Sequence, residues 1–302
     1  MNVLIVGLGS IARRHIAALR RIDPEVGITA LRSSAHGVSV PGVRDIRSLD
    51  EAGAPFDFAI VSNPTACHAD TIRQLLPLGI PLFIEKPLFA GLGQEDLLEE
   101  VRRRGTLTYV ACNLRFCDTL QFLRGQVRGL RINEVNVYCG SYLPEWRPGT
   151  DWRRCYSARP ELGGGVHIDL IHELDYVHWL FGDPLCSRKT LRHSSSLGID
   201  AVDYANYCLE YKEFCVSVIL DYYRRDYKRT VEIVADEGTW TADLGSGRVT
   251  DAEGRVLFET RQTDGDDYWE QMKYFLSLRE KEAPVPFNDV FEAYEVLKLC
   301  LE

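Results

Sequence analysis

Val3-Leu4-Ile5-Val6 runs directly into Gly7-Leu8-Gly9-Ser10-Ile11-Ala12, and no other feature restricts the fold of this chain so strongly. An unbroken apolar, β-branched run suits a parallel strand buried on both faces. The GxGxxA that follows predicts a tight turn at Gly7, a bare backbone at Gly9 and close helix–strand packing at Ala12. A helix then begins whose first amides, around Ser10 and Ile11, and whose dipole favour a phosphate. Context turns a weak motif into a specific one. Further apolar runs stand at residues 28–31, 58–61, 81–84 and 107–111, and helix patterns fill 11–21, 66–78 and 94–104. Strands and helices alternating at these lengths predict βαβ units and a doubly wound parallel sheet that binds a dinucleotide.

After about residue 118 the texture changes. Residues 132–139, 187–193, 204–211, 214–222 and 230–235 show partial alternation between short turns, with Tyr211–Phe214 and Asp236–Gly238 as hairpin turns. This predicts a second α/β domain built on a large, open, mostly antiparallel sheet. One helix (166–181) is expected before most of these strands, and helices near 267–280 and 288–301 end the chain. The expected domains are 1–118 and 119–302, the helix 288–301 packing back on the first. An open sheet needs a cover, so a homodimer or homotetramer is expected through it.

Composition excludes more than it assigns. Hydrophobic residues make up 45% and charged residues 26% of 302, ordinary values for a globular protein, and the net charge is −9 with no basic block. A nucleic-acid partner therefore has no electrostatic support. Arg102-Arg103-Arg104 reads as a solvated helix end that complements the dipole. Nine cysteines without a CxxC pair, and without histidines at zinc spacing near Cys112 and Cys117, suggest reduced thiols rather than a disulfide frame or a metal site. Neither a signal peptide nor a membrane span is expected, and the predicted location is cytoplasmic.

The second strand ends in Leu31-Arg32-Ser33-Ser34, where a carboxylate would hold the ribose hydroxyl of NAD. Arg32, flanked by hydroxyls and with no competing acid in the stretch, suits the 2′-phosphate of NADP. NADP is the preferred cofactor, with NAD the alternative.

Four segments, taken together, resemble the Gfo/Idh/MocA family of oxidoreductases: the glycine turn; Ser62-Asn63-Pro64-Thr65-Ala66-Cys67-His68; Glu85-Lys86-Pro87-Leu88; and Gly163-Gly164-Gly165-Val166-His167-Ile168-Asp169. Asn113-Leu114-Arg115-Phe116 is similar to a further family stretch. The resemblance implies a nicotinamide-dependent dehydrogenase or reductase acting on CH–OH groups. It implies Lys86 as a catalytic residue near the nicotinamide and the substrate hydroxyl, where an ammonium stabilises an alkoxide-like oxygen. Asn63, Pro64, His68 and Glu85 would lie along the cofactor.

Family members commonly carry a histidine four residues after the aspartate. Here Glu173 stands four after Asp169 and His172 three after it, so either could handle the proton. His167 and His178 are expected to be structural. Relatives linked to bacterial surface-sugar synthesis are similar at Tyr142-Leu143-Pro144-Glu145-Trp146, Asp151-Trp152-Arg153 and His172-Glu173-Leu174-Asp175-Tyr176. That likeness implies a sugar, amino-sugar or nucleotide-sugar substrate. Tyr142, Trp146 and Trp152 would stack on it, and Arg115 and Arg153 would hold a carboxylate or phosphate. Two other outcomes fit the same fold: a non-catalytic cofactor-binding module, and a redox-neutral enzyme that retains its cofactor.

Overall fold

The computed structural model describes residues 1–33, 39–280 and 287–302, and the chain divides into two compact units. The first comprises Met1–Asn113 and Thr263–Lys298, and the second Leu114–Gln262 and Leu299–Glu302. The first unit runs β1 (Asn2–Val6), α1 (Ser10–Ile22), β2 (Gly27–Leu31), β3 (Val43–Ile46), β4 (Phe58–Val61), α2 (His68–Leu75), β5 (Leu82–Glu85), α3 (Glu95–Arg104) and β6 (Thr108–Ala111). All pairs are parallel, in the order β3-β2-β1-β4-β5-β6. Strand order reverses between β1 and β4, and ligands bind at the carboxyl ends of strands at such a point. The central strands are sealed: Leu4, Ile5, Phe58, Ile60, Phe83 and Ile84 are fully buried. β3 was not anticipated, because an edge strand reading Val-Arg-Asp-Ile has no apolar run to announce it.

The second unit runs α4 (Asp118–Val127), β7 (Ile132–Gly140), α5 (Val166–Asp169), α6 (His172–Phe181), β8 (Cys186–Arg192), β9 (Tyr204–Glu210), β10 (Cys215–Asp221), β11 (Lys228–Ala235), β12 (Gly238–Asp243), β13 (Arg248–Asp251) and β14 (Val256–Glu259). Its eight strands follow the order β14-β13-β12-β11-β7-β10-β9-β8, antiparallel except for β7 with β10. Period-two burial is clear: Val135, Val137, Val216, Val218, Val231 and Ile233 form the core face, while Asn136, Ser217 and Glu232 share the opposite one. The last helices are α7 (Asp266–Arg279) and α8 (Val290–Leu301). In the first unit α7 packs on α1, with Arg21 over the Trp269 ring at 4.0 Å and paired to Asp266 at 2.6 Å.

The single helix expected over 166–181 is two. Leu170 leaves helical geometry (φ −101°, ψ 31°) and separates α5 from α6. Val166, Ile168, Leu170, Ile171 and Leu174 are all buried, a spacing that no straight stripe accommodates, and the break lets each reach the core. Among the described residues no helix is long and apolar enough to cross a membrane, and no cluster of His, Cys, Asp or Glu could hold a metal ion.

Candidate active site

Gly7 adopts φ +87°, and a Cβ there would lie 2.7 Å from the Asn63 backbone, so only glycine permits the turn at the end of β1. Ser62, just after β4, ties the two strand ends together by donating to the carbonyls of Val6 (3.2 Å) and Gly7 (3.0 Å). A Cβ at Gly9 would meet nothing within 4 Å, and α1 starts there with no side-chain cap. The first-turn amides of α1, at Ser10 and Ile11, therefore keep their donor capacity beside an open approach, which fits a dinucleotide's phosphates. Ala12 is fully buried against the sheet.

Asn63 donates to Thr71 at 2.8 Å and leaves its buried amide oxygen without a partner; Pro64 opens the short helical turn Thr65–Cys67. His68 is buried, its ring nitrogens against the carbonyls of Leu88 (3.1 Å) and Asn63 (3.0 Å). Burial lowers its pKa, so the ring is neutral and its single N–H donates to one of these two carbonyls. The Glu85 carboxylate is turned inward as well, at 2.5 Å from Nε2 of the fully buried His15 and 3.2 Å from the backbone N–H of Lys86. Glu85 thus holds the base of the strand end from which half-buried Lys86 projects.

Arg32 requires a correction. An acid does compete for it: Asp45, from β3, pairs with its guanidinium at 2.7 Å, and Arg32 is only 8% exposed. β3 was not visible in the sequence, and its carboxylate was missed with it. Ser33 is exposed; Ser34 lies outside the described residues.

In the second unit Gly164 serves packing. A Cβ on Gly164 would fall 2.0 Å from the Tyr156 carbonyl oxygen, so the turn Tyr156–Ala158 is pressed onto the backbone that leads into α5. At the end of α5, Asp169 is buried and accepts a hydrogen bond from the equally buried Tyr222 hydroxyl at 2.5 Å. Tyr156 lies beside the same carboxylate. Desolvation of its hydroxyl end and the Asp169 charge push its pKa up to about 12, although 45% of the residue is exposed. Trp146 meets Tyr222 edge-on at 5.3 Å. His167 is held neutral, its pKa brought down to about 4 by burial and by Lys189, and His178 faces Asp183 at 2.9 Å.

Two further expectations are overturned. Glu173 is fully buried and bound to Arg229 of β11 at 2.6 Å, so it faces the sheet and not a ligand. Once α5 and α6 are separate, helical spacing no longer relates it to Asp169; His172, half-buried, opens α6. Arg115 is likewise fully buried, with a bidentate grip on Asp175 (3.0 and 2.7 Å), and cannot reach a substrate. Trp152 is half-buried beneath the guanidinium of exposed Arg153, 4.1 Å above its ring.

Residues 1–111 match the NAD-binding Rossmann fold of the Gfo/Idh/MocA oxidoreductases, and residues 124–302 match that family's C-terminal alpha/beta domain. The chain belongs to this family. Among curated relatives it is 27% identical over 187 residues to the rhizopine catabolism protein MocA of Rhizobium meliloti, covering 59% of this chain and 56% of that one. It is 26% identical over 188 residues to an inositol 2-dehydrogenase of the same species, covering 59% and 54%. The matched region thus spans little more than half of each. Among solved structures, the UDP-N-acetylglucosamine 3-dehydrogenase GnnA from Acidithiobacillus ferrooxidans aligns over 100% of this chain and 95% of its own, with TM-score 0.81 and 18% identity. WlbA from Bordetella pertussis, solved with NADH and UDP-GlcNAcA, gives 0.79 and 18% over 99% and 93%. At these identities the structural likeness establishes the fold.

Several residues that hold these segments in place escaped the sequence. Arg229 carried a signal: it shares the inward register of Val231 and Ile233, where a charge demands a buried partner. His15 carried one too, lying on the buried stripe of α1 with Ala12, Ile16 and Leu19. Tyr156 and Tyr222 carried none, because their meeting at Asp169 depends on the tertiary fold.

Proposed function

We propose that this chain is a nicotinamide-dependent dehydrogenase or reductase of a sugar, amino sugar or nucleotide sugar. The observation that carries this reading is the uncapped start of α1 behind the open backbone of Gly9, in a chain that keeps Lys86 directly after β5. NAD or NADP, when bound, supplies the acceptor or donor of hydride. Gly7, Gly9, Ser10 and Ile11 would hold its phosphates. Arg32 would meet a 2′-phosphate only in competition with Asp45.

The Lys86 ammonium stabilises the negative charge that develops on the substrate oxygen as hydride moves at the adjacent carbon. Asp169, fixed by the Tyr222 hydroxyl, orients the hydroxyl-bearing partner, and His172 passes the proton on. Glu173 takes no part, since its carboxylate is fully buried and bound to Arg229.

The test is a titration with NADPH and with NADH, followed by energy transfer from tryptophan, and then turnover on a sugar panel. Lys86→Ala should lower turnover about 10²- to 10³-fold while cofactor affinity stays within about twofold. Unchanged turnover would remove Lys86 from the mechanism, and absence of nicotinamide binding from cofactor-free protein would overturn the whole reading.

A further inference from the structure

This is an acidic chain, and several arginines of the second unit have acidic partners: Arg153 and Arg154 face Asp151, Arg159 faces Glu161, Arg224 faces Asp226 and Arg229 faces Glu173. Arg147 and Arg225 do not. Both are exposed, and each lies over a tyrosine ring: Arg147 at 5.0 Å from the Tyr156 centroid, Arg225 at 4.1 Å from that of Tyr142. Arg225 also donates to the Tyr142 hydroxyl at 2.9 Å. Among the described residues neither guanidinium meets a carboxylate.

The two belong to one piece of structure. Tyr142 and Arg147 bracket the short turn Leu143–Glu145, and Leu143 donates to the Tyr222 carbonyl at 2.8 Å, which lays this turn along the segment leading to Arg225. Trp146 packs on Tyr222, whose hydroxyl binds Asp169, and the Tyr156 hydroxyl end lies beside the same carboxylate. Arg147 is thus one tyrosine away from the group that would orient a sugar hydroxyl, and Arg225 stands three residues after Tyr222, whose hydroxyl binds that group. A ring beneath a guanidinium limits its rotation and leaves its outward N–H donors pointing to solvent, an arrangement ready for a bidentate oxyanion. In a protein of net charge −9, two such unneutralised cations on the segments that bracket Tyr222 favour an anion over a bare cation.

We infer that Arg147 and Arg225 form an anion subsite that takes a phosphate or carboxylate substituent of the sugar oriented by Asp169. This rests on the sugar-oxidoreductase reading and specifies its substrate class: a sugar bearing an oxyanion, either a phosphate ester or a uronic acid. It also moves the anion-holding role from Arg115, which is sealed in the core, to two residues that the sequence did not single out.

The experiment is calorimetric titration of the full chain, saturated with NADH so that the α1 phosphate site is filled, with glucose 1-phosphate, UDP, glucuronate and glucose as probes. At least one anionic probe should bind about tenfold or more tightly than glucose. Arg147→Gln with Arg225→Gln should weaken it by about tenfold per arginine, and the Arg147→Lys and Arg225→Lys variants should retain part of the affinity. A preference for the phosphates or for glucuronate names the source of the anion. Equal binding of glucose and of every anion, or anion binding that the double glutamine variant leaves unchanged, overturns the subsite. NADH affinity measured alongside in each variant keeps the two ideas apart: loss of NADH binding by the unaltered chain defeats the oxidoreductase reading, whereas arginine-dependent anion binding stands or falls on its own.

Discussion

Two glycine-rich turns look alike as text and work in opposite ways. After β1, Gly9 faces open space, and its missing side chain leaves room for something that is not protein. Before α5, Gly164 is pressed against the Tyr156 carbonyl, and its missing side chain is filled by the chain itself. The first glycine keeps a backbone accessible; the second brings two backbones together so that Asp169 and its tyrosines stand in place. An open glycine and a packed one differ only in what occupies the volume of the absent Cβ, and burial likewise sets half-buried Lys86 apart from Arg115 and Glu173 in the core. Charged side chains in all three segments suggest chemistry, but two of them are buried against partners in the core.

The largest effect that would sharpen this contrast is on stability. Gly164→Ala puts a methyl group 2.0 Å from a backbone oxygen that no side-chain rotation can move, so the turn Tyr156–Ala158 must lift away. The expected cost is about 3 kcal/mol or more, at the upper end of overpacking, seen as a lower midpoint in urea. Gly9→Ala should leave that midpoint unchanged while weakening nicotinamide binding by about tenfold or more, because the added methyl blocks a close backbone approach. Equal stability loss in both variants would erase the distinction between the two turns.

Arg115→Ala has an effect of the same order. It strands Asp175, which is 1% exposed, without its bidentate partner, and breaking a buried pair costs about 3–5 kcal/mol. Affinity for substrate should be unaffected in the fraction that remains folded. A variant of full stability with a raised KM would return Arg115 to the substrate site and break the comparison.

These pairings also mark where the sequence ceased to be readable. β1, β4 and β5 announce themselves because strands covered on both faces need unbroken apolar runs. β3 lies at a sheet edge and β13 one strand in from one, and both are short and mix charged with apolar residues, so nothing in Val-Arg-Asp-Ile or Arg-Val-Thr-Asp separates them from loops. The glycine turn, Lys86 and Asp169 were legible as motifs. Their neighbours were not: Arg115 finds Asp175 across 60 residues and Glu173 finds Arg229 across 56, and a one-dimensional pattern states which charges exist without stating which of them meet. The break between α5 and α6 has the same origin, since it follows from burying Leu170 and Ile171 together rather than from any helix-breaking residue.

The smallest expected effect tests the remaining charged pair, at the end of β2. Arg32 stands where a dinucleotide's adenosine ribose would be met, and Arg47 donates to its backbone carbonyl at 3.2 Å, so two cations share this strand end. Asp45 pairs with Arg32, yet 30% of the Asp45 side chain stays exposed, and the pair is therefore open to competition. Asp45→Asn removes the competing charge and keeps the shape. Affinity for NADPH relative to NADH should then rise about fivefold to tenfold, measured by the same tryptophan energy transfer in both titrations. Arg32→Ala should reverse the gain when combined with it. A ratio unmoved by either change would mean that Arg32 only fastens β2 to β3, joining Arg115 among the charges that serve the fold, and that cofactor choice is made by other residues.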